Sequence, residues 1–211
     1  MFSALSHRAA LAIGGLQSSL FSTGASGTFA TPGHLVRRGA EARRAGHAGD
    51  DAGWNMIADE AALRTAGGTI MHLFGQILDF DGRPVPGVQI ELSQVGPGGP
   101  GQHTSEDPSG DGTGATDGFA GYGAQSSDEW GHYRFRTIRP VSDGTRPPLI
   151  NARLSRKGGR VLETQLFLLG EPSNDGDWHY ASLGPSCQAA VSIDPVARAD
   201  GEFEAGFNFV L

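Results

Sequence analysis

The chain is poor in the residues that usually announce a covalent or metal-bound function. Cys187 is the single cysteine, so no internal disulfide can form, and a small buried thiol is the expected reading of it. Only three tyrosines occur, Tyr122, Tyr133 and Tyr180, and no His-x-His appears anywhere. No apolar run approaches the roughly 18 residues a membrane-spanning helix needs. Positive charge is also short: 16 Lys and Arg against 23 Asp and Glu give a net charge of −7, which argues against nucleic acid as a main partner. No phosphate-binding glycine loop, internal repeat or Gly-X-Y period is present. Ser126-Ser127-Asp128 has no histidine at a spacing that supports a catalytic triad.

Glycine is what the chain has in excess, 33 of 211 residues. Glycine costs about 1 kcal/mol against alanine inside a helix, so a mostly helical fold is disfavoured. With 38% hydrophobic residues the chain still supports a packed core, and a turn-rich β protein is the expectation.

Residues 1–66 are rich in Ala, Gly and Arg and read as an N-terminal arm, irregular or with short helical structure; Ala58–Thr65 suits a helical turn. Within it, His7-Arg8 followed by Ala9–Leu16 resembles a degenerate export signal, with an N-terminal helix as the competing reading. A cytoplasmic location is expected, export being the alternative if that segment works. The cluster Arg37–Arg44 reads as a solvated basic arm. The body, 67–211, has the alternation of strands. Thr69–Leu78 is rich in β-formers, and Asp79–Pro84 is a turn. Val88, Ile90 and Leu92 alternate with polar neighbours; His132–Ile138 resumes the pattern. Ile150, Ala152 and Leu154 share a face opposite Leu149, Asn151 and Arg153. Val161–Leu168 and Phe203–Leu211 follow. These elements predict an all-β, two-sheet β-sandwich. Residues 95–125, with ten glycines and few large apolar residues, read as a long loop. His72 and His132 are expected to be structural, Trp130 and Trp178 to be core or interface residues, and Asp175, Asp177 and His179 to form a solvated loop.

Several segments resemble the intradiol ring-cleavage dioxygenases, the protocatechuate 3,4-dioxygenase-like family. They are Gly75–Asp79 with the turn Gly82-Arg83-Pro84-Val85-Pro86-Gly87, then Phe119–Gly123, Asp128–Gly131 and His132-Tyr133-Arg134-Phe135-Arg136-Thr137-Ile138-Arg139-Pro140. Thr164-Gln165-Leu166-Phe167, Gly170-Glu171-Pro172 and the closing Phe207–Leu211 complete the series, in the family's order over about 70–211. The resemblance implies a β-sandwich that uses iron(III), held by two tyrosinates and two imidazoles, to activate a catechol for attack by dioxygen.

The implied ligand positions are all changed. Asp143 and Gly101 fall where the tyrosines belong, and Leu149 and Asn151 where the histidines belong. No metal cofactor is therefore expected. Arg146 overlays the arginine that in the family sits beside the substrate and stabilises negative charge, and Gln165 overlays a glutamine near the iron histidines. The expected catalytic residues are Arg146, Asp143 and His103; the expected ligand-binding residues are Asn151, Gln165, Tyr122 and Leu149. A small oxygenated aromatic or polyketide-like molecule is the expected ligand of a repurposed, metal-independent lyase, cyclase or isomerase. The alternative is a non-catalytic α-type subunit or pseudoenzyme, because Pro148-Leu149-Ile150-Asn151 resembles the α-type Pro-His-Ile-Asn. A third reading is a true dioxygenase with substituted ligands. A homo-oligomer, or a hetero-oligomer with a related subunit, is expected.

Overall fold

Alternation of apolar and polar side chains sorts the body into two sheets that close on one core. The computed structural model describes residues 31, 53–99, 117–157 and 159–211. The export-like segment, the Arg37–Arg44 cluster, Gly101 and His103 lie outside the described residues. Ten strands alternate with short helices: β1 (Ile70–Leu78), β2 (Gln89–Ser93), β3 (Tyr122–Ser126), β4 (His132–Ile138), β5 (Leu149–Arg156), β6 (Gly159–Leu168), β7 (Ser192–Ile193), β8 (Val196–Ala197), β9 (Phe203–Gly206) and β10 (Phe209–Val210). Helix α1 spans Glu60–Thr65, α2 Trp178–Ser182 and α3 Pro185–Ala190.

The first sheet is built around β1. It pairs antiparallel with β4, parallel with β9 and β10, and β8 extends the β9 side. The second sheet runs β3-β2-β5-β6-β7. Met71, Leu73 and Ile77 from the first sheet face Ile90, Leu92, Ile150, Leu154 and Leu166 from the second, all fully buried. The two-sheet sandwich is thus the fold expected from the sequence. Gln94 ties the sheets together: its Oε1 accepts from Thr137 Oγ1 at 2.7 Å and its Nε2 donates to the Ile138 carbonyl.

Two local arrangements need glycine. At Gly75 a Cβ would lie 1.7 Å from the Phe207 carbonyl oxygen, so β1 and the chain leaving β9 touch there through backbone. Gly131 takes φ +74° in the turn before β4, where Asp128 accepts from the amides of Trp130 and His132.

The end of the N-terminal arm belongs to the body. Met56 and Leu63 are fully buried, and the amide of Met56 donates to the Arg136 carbonyl at 2.9 Å. Asp59 caps α1 by accepting from the amides of Ala61 and Ala62, and Glu60 pairs with Arg64 one turn on. The last strand-forming part of the glycine-rich 95–125 segment is β3, which pairs with β2 from Ser93–Tyr122 to Gln89–Ser126. Trp130 and Trp178, expected in the core or an interface, are 61% and 73% exposed.

Candidate functional site

The loop between β4 and β5 is held by its own polar groups. Asp143 Oδ1 accepts from the amides of Thr145 and Arg146, while Ser142 Oγ donates to the Arg146 carbonyl at 2.7 Å. This turn aims the Arg146 side chain over the outward face of the second sheet. There its Nε donates to Asp177 Oδ2 at 2.9 Å, and its Nη2 lies 2.8 Å from the same oxygen. Nη2 also donates to Gln165 Oε1 at 2.9 Å. Gln165 Nε2 in turn donates to Asn151 Oδ1 at 2.8 Å, and Asn151 Nδ2 reaches the Ser93 carbonyl at 3.4 Å.

The order of these bonds is forced. A guanidinium has only donors, so Gln165 must turn its oxygen to Arg146 and its nitrogen to Asn151. Asn151 must then present its oxygen to Gln165 and keep its nitrogen for the far side. The chain is polarised from one end to the other. Polar hydrogens are left over on Arg146 Nη1, Gln165 Nε2 and Asn151 Nδ2. Among the described residues Nη1 has no hydrogen-bond partner.

Asp177 anchors the arrangement. It is only 5% exposed, and its carboxylate is divided between two tasks. Oδ1 accepts from the amides of His179 and Tyr180, capping α2, and Oδ2 holds Arg146. Burial opposes its charge, but the Tyr180 amide, the Arg146 guanidinium and the His179 amide outweigh it and hold the carboxyl below the ordinary aspartate value. Read from sequence as part of a solvated loop, Asp177 is instead buried and paired. The legible signal was its place as an N-cap before Trp178–Ser182. Its partner, Arg146, is too distant in sequence to be inferred.

The pairing of strands places the other candidates. Tyr122, Ser93, Asn151 and Gln165 lie directly across from one another on β3, β2, β5 and β6 and share one sheet face. At roughly 5 Å per strand, Tyr122 stands about 10 Å from Asn151, with the small Ser93 between them. Tyr122 is partly exposed, and burial together with the Glu91 carboxylate raises its phenol above the ordinary value, so it stays a neutral hydroxyl. The next row holds Glu91, Arg153 and Glu163, where the buried Glu163 accepts from Arg153 Nε at 2.8 Å and lies 2.9 Å from Arg160. On the other side Leu149 packs against Phe167, Tyr180 and Val191, an apolar wall beside the polar row. Thus Arg146, Gln165 and Asn151 are joined by direct hydrogen bonds. Leu149 and Tyr122 flank them, and Asp143 closes the turn beneath Arg146.

Two of the described positions where the resemblance puts iron ligands offer little to iron(III). Leu149 offers no donor atom, and Asn151 spends its ligating oxygen on Gln165. Among the described residues no three His, Cys, Asp or Glu side chains cluster as a metal centre requires.

Comparison with known proteins places this face within a family. A family model described as Dioxygenase matches residues 50–160. The catechol 1,2-dioxygenase of Acinetobacter baylyi is 30% identical over 159 residues, covering 66% of this chain and 49% of that protein. The chain therefore spans about half the length of that curated relative. Among solved structures, the dioxygenase domain of a dioxygenase–carbohydrate-binding fusion from Streptomyces sp. SirexAA-E superposes with a TM-score of 0.59 at 23% identity. It covers 87% of this chain and 98% of that one. An intradiol ring-cleavage dioxygenase from Tetranychus urticae superposes with a TM-score of 0.58 at 14% identity, covering 88% and 93%. These two likenesses show the shared fold. The dioxygenase match runs over more than half of the sequence and includes the strands that carry Ser93, Tyr122 and Asn151, and on that ground the chain belongs to the intradiol ring-cleavage dioxygenase family.

Proposed function

We propose that this chain is a metal-independent member of its family that binds a small oxyanionic molecule, aromatic or polyketide-like, against Arg146. The observation that carries this reading is the Asp177–Arg146–Gln165–Asn151 chain, which fixes the guanidinium in place and leaves its Nη1 donors uncommitted among the described residues. A guanidinium so placed attracts an enolate, phenolate or carboxylate. Arg146 would stabilise negative charge as it develops on the ligand, which suits lyase, cyclase or isomerase chemistry. Asp177 and Gln165 fix the guanidinium in advance, so no reorganisation is needed when charge appears. Asp143, at the base of the same turn, and His103 are the groups assigned to proton movement.

A second reading keeps the binding site and drops the chemistry. Asp177, the buried carboxylate here, is committed to Arg146 and to the cap of α2 and is held below its ordinary value, which suits support rather than proton transfer. On that reading the chain is an α-type subunit or pseudoenzyme beside an iron-bearing paralogue.

The test is calorimetric titration of chelator-treated protein with catechol, followed by turnover assays if it binds. Binding is expected to survive chelation and to weaken by about tenfold or more in Arg146→Ala. Stoichiometric iron with the reddish tyrosinate-to-iron absorption, or binding indifferent to Arg146→Ala, would overturn the proposal. Turnover by the chain alone favours the enzyme; co-purification with a complete paralogue and no activity alone favours the subunit.

A further inference from the structure

The outward face of the first sheet carries a second cleft that the Arg146 row does not touch. Its floor is Phe74, half-buried in the middle of β1. On one side Phe74 is paired with Arg134 of β4, and on the other with Gly206 of β9. Because Gly206 has no side chain, that flank of the Phe74 ring is open. A Cβ added there would meet only Phe74 Cε2, at 3.7 Å. Trp54 forms the opposite wall. Its carbonyl accepts from the Arg136 amide at 2.9 Å, which fixes the residue beside β4.

Arg134 stands over the Trp54 ring, its Cζ 4.8 Å from the ring centroid. It has no carboxylate partner among the described residues. The contrast with its neighbours is plain. Arg136 pairs with Glu60, Arg198 pairs with Asp200 and stands 3.6 Å from Glu204, and His72 pairs with Glu202 at 2.6 Å. Each of the other basic groups around the cleft thus has a carboxylate neighbour, and Arg134 has the Trp54 ring instead.

From these features we infer that the cleft is a separate binding site for a single-ring aromatic carboxylate, whose ring rests on Phe74 and whose carboxylate meets Arg134. The size agrees: the space is about 220 Å³, and a dry cavity of about 150 Å³ is enough for benzene. The chemistry agrees as well. A guanidinium pre-oriented by an indole offers a planar fork of donors to a carboxylate, and two aromatic walls favour a ring over an inorganic anion.

The experiment follows the indole N–H signal of Trp54 by NMR in the full chain, assigned by its loss in Trp54→Phe. Benzoate is titrated, with benzyl alcohol as the uncharged ring and inorganic phosphate as the anion without a ring. Benzoate is expected to move the Trp54 signal saturably, and the two controls to bind about tenfold more weakly or worse. Arg134→Gln is expected to weaken benzoate by about tenfold. Gly206→Leu, which fills the open flank of Phe74, is expected to abolish binding without depending on charge. Arg146→Ala is expected to leave the Trp54 response unchanged, so this site and the Arg146 site fail separately. An unmoved Trp54 signal, equal binding of phosphate or benzyl alcohol, full affinity in folded Arg134→Gln, or loss of the response in Arg146→Ala overturns the inference.

Discussion

At the scale of single residues, Asp177 decides most. Its carboxylate serves a helix cap and an ion pair at once, so removing it strands two amides and a partly buried guanidinium. Breaking a buried pair from one side costs about 3–5 kcal/mol; Arg146 keeps some contact with water, so Asp177→Ala is expected to cost about 2–4 kcal/mol in urea unfolding. Asp177→Asn keeps the shape and loses the charge, and should cost less. The pH dependence has a definite sign. A carboxyl held below its unfolded value stabilises the fold above that value, and the stabilisation is lost as pH falls through the folded one. Wild-type protein should therefore lose stability as pH drops below about 4, and Asp177→Asn should lose less over the same range. Denaturant midpoints measured across that window check both statements.

At the scale of elements, backbone contact between β1 and the segment after β9 is the tightest fit. Gly75→Ala would force its new methyl into the Phe207 carbonyl and must move backbone, not a flexible side chain. A loss of about 2–3 kcal/mol is expected, the upper range for overpacking, read as a lower thermal midpoint with the native circular dichroism retained at low temperature. Elements with a clear period were legible in the sequence. His132–Ile138 was bounded correctly, and the Ile150, Ala152, Leu154 face is buried as alternation requires. β7 and β8 are two residues each, too short to show any period, and β3 hides in a glycine-rich stretch that reads as loop. For the candidate site, family resemblance alone singled out Arg146, and strand alternation added to it for Asn151 and Gln165; the hydrogen bonds among the three are visible only in the structure. The bond between Arg146 and Asp177 was not, because it joins a turn to a helix cap through space and leaves no periodic trace.

For the whole molecule, composition misplaces one boundary. Residues 53–66 share the polar, alanine-rich character of the arm, yet Met56 and Leu63 sit in the main core and Gly118 accepts from the amides of Ala58 and Asp59. Burying each such side chain contributes about 1.5–3 kcal/mol. A chain begun at residue 67 is expected to lose about 4 kcal/mol or more against one begun at residue 53, and to show an early, broadened urea transition. Equal midpoints for the two would show that the segment only lies on the body.

The position of β1 also sets an order of events in time. Its partners are β4, reached soon after it, and β9 and β10, at the far end of the chain. The second sheet, by contrast, takes most of its strands from the middle of the chain, β2, β3, β5 and β6. During synthesis that sheet can assemble while β1 still waits, with one edge unpaired, for β9 and β10 to leave the ribosome. Pairings between distant segments are slow to find, on the order of milliseconds to seconds for β-rich domains. The exposed edge of β1 is thus the interval in which this protein is most open to aggregation, and in which a chaperone has most to protect.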